Sequence, residues 1–256
     1  MSTHSIALFF SALFGLCWGS FLNVVIHRLP LGESVVFPRS RCPKCKNVLR
    51  WYHNIPLLSW AFLLGKCGFC GTKISFRYPL VELITGVSFF FVALVTESYL
   101  AWPFYFAFFS ILISGTFIDL DHWLLPDKLT IPGILLGFIG SFFALPIHFI
   151  DSILGILFGG GILLVIAWGY YAATKKEGLG GGDIKFLAMV GAFLGIKGAL
   201  VTLVLSSFLG SILGIFLILF RKKATTTAVP FGPFLALGTI LAFFFGESLW
   251  QWYFNF

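Results

Sequence analysis

Long apolar runs, separated by short polar stretches, set the pattern of this chain. Eight can be drawn, at about 5–26, 80–98, 101–118, 130–149, 152–173, 184–197, 199–220 and 229–250. A bilayer's hydrocarbon core is about 30 Å thick and takes about 20 apolar helical residues to cross, so these runs read as membrane spans. The sixth is short and interrupted by glycine, which suits a partial or tilted span. The first, Ser5 to Ile26, is too long for the apolar core of a cleaved signal and has no cationic segment before it, so it reads as a span as well. The pattern therefore predicts an all-α polytopic membrane protein with about eight transmembrane helices.

The polar intervals divide the rest. Only 27–79 is long enough for a domain outside the membrane, which predicts three parts: a first span over 1–26, a loop domain over 27–79, and a membrane domain over 80–256. A unit of about 60 residues or fewer buries too little surface to fold without a staple. Charge orients the spans. With the N-terminus outside, the intervals 27–79, 119–129, 174–183 and 221–228 face the cytoplasm. Together with Lys185 they hold every lysine and arginine except Lys197. Basic loops stay on the cytoplasmic side, so the opposite orientation is disfavoured.

Composition agrees. Of the 256 residues, 59% are hydrophobic and 11% charged, against roughly 45–50% and 25% in soluble domains. The net charge of +7 would suit a nucleic-acid binder if it covered one soluble face. Instead the cations cluster at membrane edges with no aromatic–basic pattern, so no nucleic-acid partner is expected.

The staple for 27–79 is visible in Cys42-Pro-Lys-Cys45 and Cys67-Gly-Phe-Cys70. Two C-x-x-C pairs at this separation are the ligand pattern of a four-thiolate zinc site, and four sulfurs close the tetrahedron, which makes the metal structural. The competing reading, two disulfides, conflicts with the reducing compartment the topology assigns. Cys17, inside the first span, reads as a small packing residue.

Ionisable groups at a bilayer are costly and mark functional sites. Two short inner loops concentrate the acids: Asp119-Leu120-Asp121 leading to Leu125-Pro126-Asp127, and Gly180-Gly181-Gly182-Asp183-Ile184-Lys185. Both lie where a span meets the cytoplasmic face, so distant carboxylates can meet at one depth and share a proton, one activating water while the other donates to a carbonyl. The glycines of the second loop would let a peptide lie against the backbone. Asp127, ahead of Thr130-Ile131-Pro132, reads as a helix start. Residue chemistry alone leaves an aspartic enzyme, a transporter and structural acids open. No internal repeat of the kind transporters use is apparent, and the acids sit at loop edges rather than at the midplane.

Five stretches in order resemble the bacterial type IV prepilin leader peptidases, membrane aspartyl proteases of the Gly-x-Gly-Asp type. These are Gly19-Ser20-Phe21-Leu22-Asn23 with Arg28 and Pro30; the two cysteine pairs with Asn54-Ile55-Pro56 and Ser59-Trp60 between them; Arg77-Tyr78-Pro79-Leu80-Val81-Glu82; Ile118-Asp119 to Asp127; and Gly180-x-Gly182-Asp183. The resemblance implies an inner-membrane endopeptidase that cleaves the basic leader of prepilins or type II secretion pseudopilins at a Gly–Phe type junction on the cytoplasmic face. It implies Asp119 and Asp183 as the catalytic pair, with Gly180 and Gly182 in the substrate loop. It further implies N-methylation of the new terminus with S-adenosylmethionine. No dinucleotide fingerprint marks that cofactor's site; Glu82 is the candidate, with Arg28 or Arg77 as its possible ion-pair partners. Asp183 opens a span and Asp119 closes one, so helix polarity favours the shared proton on Asp119.

Overall fold

The computed structural model describes residues 3–176, 178–221 and 230–254. Among these, the regular elements are helical: α1 (Thr3–Arg28), α2 (Leu58–Phe62), α3 (Arg77–Val95), α4 (Trp102–His122), α5 (Asp127–Gly140), α6 (Phe149–Thr174), α7 (Gly181–Arg221) and α8 (Gly232–Phe254), with one 3-10 turn at Trp51–Asn54. The all-helical expectation holds. Six helical stretches are long and apolar enough to cross a membrane: His4–Arg28, Arg77–Val95, Trp102–His122, Phe149–Thr174, Gly181–Leu217 and Gly232–Trp252. The chain is a multi-pass membrane protein. Most of the inner loop expected at 221–228 lies outside the described residues, which resume at 230.

Three of the eight runs take a different form from that expected. The run at 130–149 is helical only to Gly140; at about 1.5 Å per residue its 14 residues reach about 21 Å, short of a full span. The following residues, including Phe142, Phe143 and Leu145, form turns before His148 caps α6, and hydropathy cannot separate an apolar turn from an apolar helix.

The sixth and seventh runs form one assigned helix, α7, interrupted at Gly195 with φ 68° and ψ −173°. The chain reverses there. Before the break, α7 runs antiparallel to α6, with Gly191 against Gly155 and Leu187 against Gly159. After it, α7 runs antiparallel to α8, with Thr202 and Ser206 against Gly238, and Gly210 against Phe231 and Phe234. An unbroken helix would carry Gly210 about 40 Å from Asp183, whereas it lies beside the start of α8, the end that also meets Asp119. A positive φ of this kind costs glycine nothing and other residues a great deal.

The chain forms two compact units, Met1–Ser114 and Gly115–Phe256, with α4 running from one into the other. In the first, α1 and α3 form an antiparallel hairpin. A Cβ at Gly15 would stand 2.8 Å from the Gly86 Cα, and one at Gly19 2.7 Å from the Glu82 Cα. Small residues four apart permit this approach, and in lipid such packing takes over from the hydrophobic effect. Asn23 Nδ2 donates to the carbonyls of Gly19 and Tyr78, while Phe89 stacks on Phe106 with centroids 4.1 Å apart. In the second unit, α7 packs against α5, α6 and α8, and the C-terminal end of α4 meets the starts of α7 and α8, where the acids lie. Large apolar side chains stand exposed along α6, among them Leu157, Val165 and Trp168, on the surface a bilayer would cover.

Candidate functional site

Two sites emerge, one in each unit. The loop domain brings Cys42, Cys45, Cys67 and Cys70 together, with one sulfur from each within 4.8 Å of the others. Each pair sits on a knuckle of the same build. Cys42 N–H donates to Asn47 O and Lys46 N–H to Cys42 O; Cys67 N–H donates to Thr72 O and Gly71 N–H to Cys67 O. A β-bridge closes each knuckle, Arg41 with Val48 and Lys66 with Lys73. The two are copies offset by 25 residues, a local duplication that low identity between the copies conceals in the sequence.

The sulfurs fit a tetrahedral zinc. Zn–S bonds of about 2.3 Å put ligand sulfurs about 3.8 Å apart, and Cys42 Sγ stands 3.9 Å from Cys70 Sγ. All four cysteines are free thiols. Hydrogen bonds prepare two of them for metal. The Cys45 backbone amide holds Cys42 below the usual thiol range, and the Thr72 hydroxyl, then its amide, bring Cys70 down to about 6. Cys45 moves the other way: the Asn47 amide pulls it down, but burial and the neighbouring sulfurs outweigh that and carry it up to about 11. Thiolates are the ligand form, so Cys42 and Cys70 are the two sulfurs poised for a metal.

The second site lies where α4 ends and α7 and α8 begin. Asp119, in the last turn of α4, is buried, and its Oδ2 accepts the backbone N–H of Gly232 at 2.9 Å. Leu125 bridges α4 to α7: a Cβ at Gly115, one turn before Asp119, would stand 3.2 Å from both Leu125 and Phe186, and one at Gly182 would stand 2.8 Å from the Leu125 Cβ. Asp183 therefore faces the end of α4, and the charges of Asp119 and Asp183 lie close enough to interact. The two acids come together from separate helices, at a helix-end depth rather than at a midplane.

The remaining acids divide. Asp121 is exposed. Asp127 is the first residue of α5, as the helix-start reading expected, and it pairs with Lys185 Nζ at 2.6 Å across the two loops. Glu82 is buried in α3; its Oε2 accepts the backbone N–H of Leu57 at 2.8 Å, and Ser20 also bonds to it. The partner it finds is thus an amide of the loop domain, held at Leu57 with φ 59°.

Gly232 has no place in the sequence reading, although a Cβ there would stand 2.7 Å from Asp119 Oδ2. Pro230-Phe231-Gly232-Pro233 is a helix-start signal, but nothing along the chain links it to an acid 113 positions earlier. The contact also removes the asymmetry from the helix-polarity argument. Asp119 closes α4, yet it also meets the amino-terminal end of α8, so both acids face a positive helix end. The space beside Gly182 is filled by Leu125, and Gly180 lies against Asp183, whereas Gly181 opens to free space.

Comparison with known proteins identifies the family. Residues 13–96 match the family described as the bacterial peptidase A24 N-terminal domain, and residues 106–215 match the type IV leader peptidase family. A prepilin leader peptidase/N-methyltransferase of Aeromonas hydrophila is 39% identical, covering 96% of this chain and 94% of its own. That of Pseudomonas aeruginosa is 36% identical over 100% and 97%. That of Myxococcus xanthus is 41% identical over 88% of this chain and 69% of its own. No solved structure matches. With relatives this similar along nearly its whole length, the chain belongs to the type IV leader peptidase family.

Proposed function

We propose that this protein is a membrane aspartic endopeptidase that removes the basic leader from prepilins or pseudopilins, with Asp119 and Asp183 as its catalytic pair. The observation that supports this best is the convergence of the two carboxylates at the ends of α4 and α7. One carboxylate takes a proton from water as its oxygen attacks the scissile carbonyl carbon. The other, as the acid, donates to the carbonyl oxygen. The tetrahedral intermediate then collapses with a proton passed to the departing amine, and no covalent enzyme intermediate forms. We place the peptide along the Gly180–Gly182 loop, where Gly181 leaves open space. The substrate's apolar helix stays in lipid while its junction reaches the helix ends.

The distribution of basic residues supports an active site on the cytoplasmic side of a bacterial inner membrane, with the N-terminus outside. Within that frame we retain the division into a first span over 1–26, a loop domain over 27–79 and a peptidase domain over 80–256. Cys42, Cys45, Cys67 and Cys70 would hold zinc as a closed cross-link for the loop domain, with four sulfurs leaving no open position for chemistry.

The relatives' names carry a second activity, methylation of the new N-terminus, for which S-adenosylmethionine is the donor we infer. Glu82 is our candidate residue on that side of the chemistry. It acts through the loop it holds, since its carboxylate is taken by Leu57 and Ser20.

Cleavage of a prepilin in membranes carrying Asp119→Asn or Asp183→Asn, at matched expression, tests the main reading. Both variants should lose cleavage and keep their zinc. Cleavage retained in either would overturn the assignment of the pair. A radiolabelled methyl-transfer assay on the same membranes tests the second activity, and cleaved product without label would sink it.

A further inference from the structure

We propose that residues 57–64 form an interfacial anchor: α2 and the turn after it lie in the headgroup–acyl boundary of an anionic leaflet and seat the zinc domain on the bilayer. The proposal goes beyond the peptidase reading and does not depend on it.

Depth is the first argument. The loop domain leaves one membrane helix at Arg28 and enters the next at Arg77, so both its ends lie at one membrane face. Leu57, immediately before α2, bonds to Glu82, five residues inside α3. At about 1.5 Å per residue that is about 7.5 Å along the helix. Even with the Glu82 side chain fully extended outward, Leu57 sits level with the first turn of α3. The stretch after it cannot stand off in water.

The face is the second. Trp60 turns inward: its Nε1 donates to Ile74 O, and its ring meets Phe76 edge-on with centroids 5.6 Å apart. Leu58 and Phe62, one helical turn apart, take the opposite side and are 56% and 83% exposed, and Leu64 beyond them is 79% exposed. Trp51 stands 75% exposed nearby in sequence. Apolar tips with an aromatic beside them, at this depth, are the composition of a segment lying in the interface plane.

Charge names the partner. From Arg28 to Arg77 the chain carries nine lysines and arginines against the single acid Glu33. Such a surface attracts anionic headgroups. The basic leader of a substrate would be repelled by it, which favours lipid over substrate as the occupant of this face.

Full-length protein carrying the photocrosslinker p-benzoylphenylalanine at Phe62, at Leu64 or at the knuckle position Lys44 provides the test, in nanodiscs of phosphatidylcholine alone or mixed with equal parts of phosphatidylglycerol. Mass spectrometry should find lipid adducts at 62 and 64, several-fold above those at 44, with the yield rising when phosphatidylglycerol is present. Adducts to a second copy, adducts to added prepilin in place of lipid, or equal labelling at 44 would overturn the proposal. A yield indifferent to phosphatidylglycerol would overturn its electrostatic half. Hydrogen exchange on the unmodified chain guards against a misfolded variant. Protection over 57–64 should rise from detergent to anionic nanodiscs, and unchanged exchange would count against the anchor.

Discussion

Oδ2 of Asp119 accepts the backbone N–H of Gly232 at 2.9 Å, joining the end of α4 to the start of α8. The bond commits one Asp119 oxygen to a lone-pair role, so a proton shared by the pair resides on Oδ1 or on Asp183. It also explains why residue 232 carries no side chain. A methyl group there would press on the carboxylate, and displacing a reacting group by about 1 Å costs about a hundredfold in rate. Gly232→Ala should therefore lower cleavage by about that factor while leaving zinc content and membrane insertion intact. Wild-type cleavage by this variant in a proteoliposome assay would remove Gly232 from the site.

The Lys185–Asp127 pair spans the two acid-bearing loops at 2.6 Å, but its side chains are 41% and 56% exposed. Water and salt screen such a pair, and exposed pairs of this kind contribute roughly 0.2–1 kcal/mol. A double-mutant cycle of Lys185→Met and Asp127→Asn should give a coupling in that range that shrinks as salt rises. A large, salt-independent coupling would show that the pair is drier than its exposure indicates.

The duplicated knuckles make a matched comparison possible. Lys46 and Gly71 occupy the same position in the two copies, with φ 59° and 68°. Only glycine adopts that conformation without strain, so Lys46→Gly should stabilise the first knuckle by about 0.5–1 kcal/mol, and Gly71→Ala should destabilise the second by about as much. The resistance of zinc to chelator in the full-length protein reports both changes, and movement of the two variants in one direction would contradict the duplication.

Removing a ligand should act more severely. Cys42→Ser would leave three sulfurs for the proposed zinc, and the buried core side chains of the loop domain between α1 and α3 are Cys42 and Cys67 themselves. Purified Cys42→Ser protein should lack zinc and lose amide protection across 40–74, while α1 and α3 stay protected. Full zinc occupancy in this variant would rule out the four-thiolate assignment.

Glycine placement in α6 separates packing from propensity. Gly155 meets the backbone of Gly191, whereas a Cβ at Gly161 would meet nothing within 4 Å. Gly155→Ala should destabilise by about 1–3 kcal/mol through overpacking. Gly161→Ala should be neutral or slightly stabilising, since alanine is the better helix former. Thermal melts in one detergent compare them directly, and equal effects would show that this helix pair is not closely packed.

Hydropathy along the chain determined the spans, because in lipid each helix satisfies its own backbone and needs only a run of apolar side chains. Ligand spacing likewise determined the four cysteines, since a knuckle is a local turn and Cys42 and Cys45 share one. Acids at loop edges marked Asp119, Asp121, Asp127 and Asp183 for the same reason, since a carboxylate at a membrane face is unusual wherever it sits, and the family resemblance singled out Asp119 and Asp183 among them. Tertiary structure decided the rest. It ended α5 at Gly140 within an unbroken apolar run, turned α7 back at Gly195, and set Leu125 between the two acid-bearing helices. It also brought Gly232 to Asp119 and Leu57 to Glu82. These outcomes depend on the clearance of a Cβ or the reach of one amide between segments far apart in the chain. Such distances arise only when helices meet, and no pattern along one strand of sequence records them.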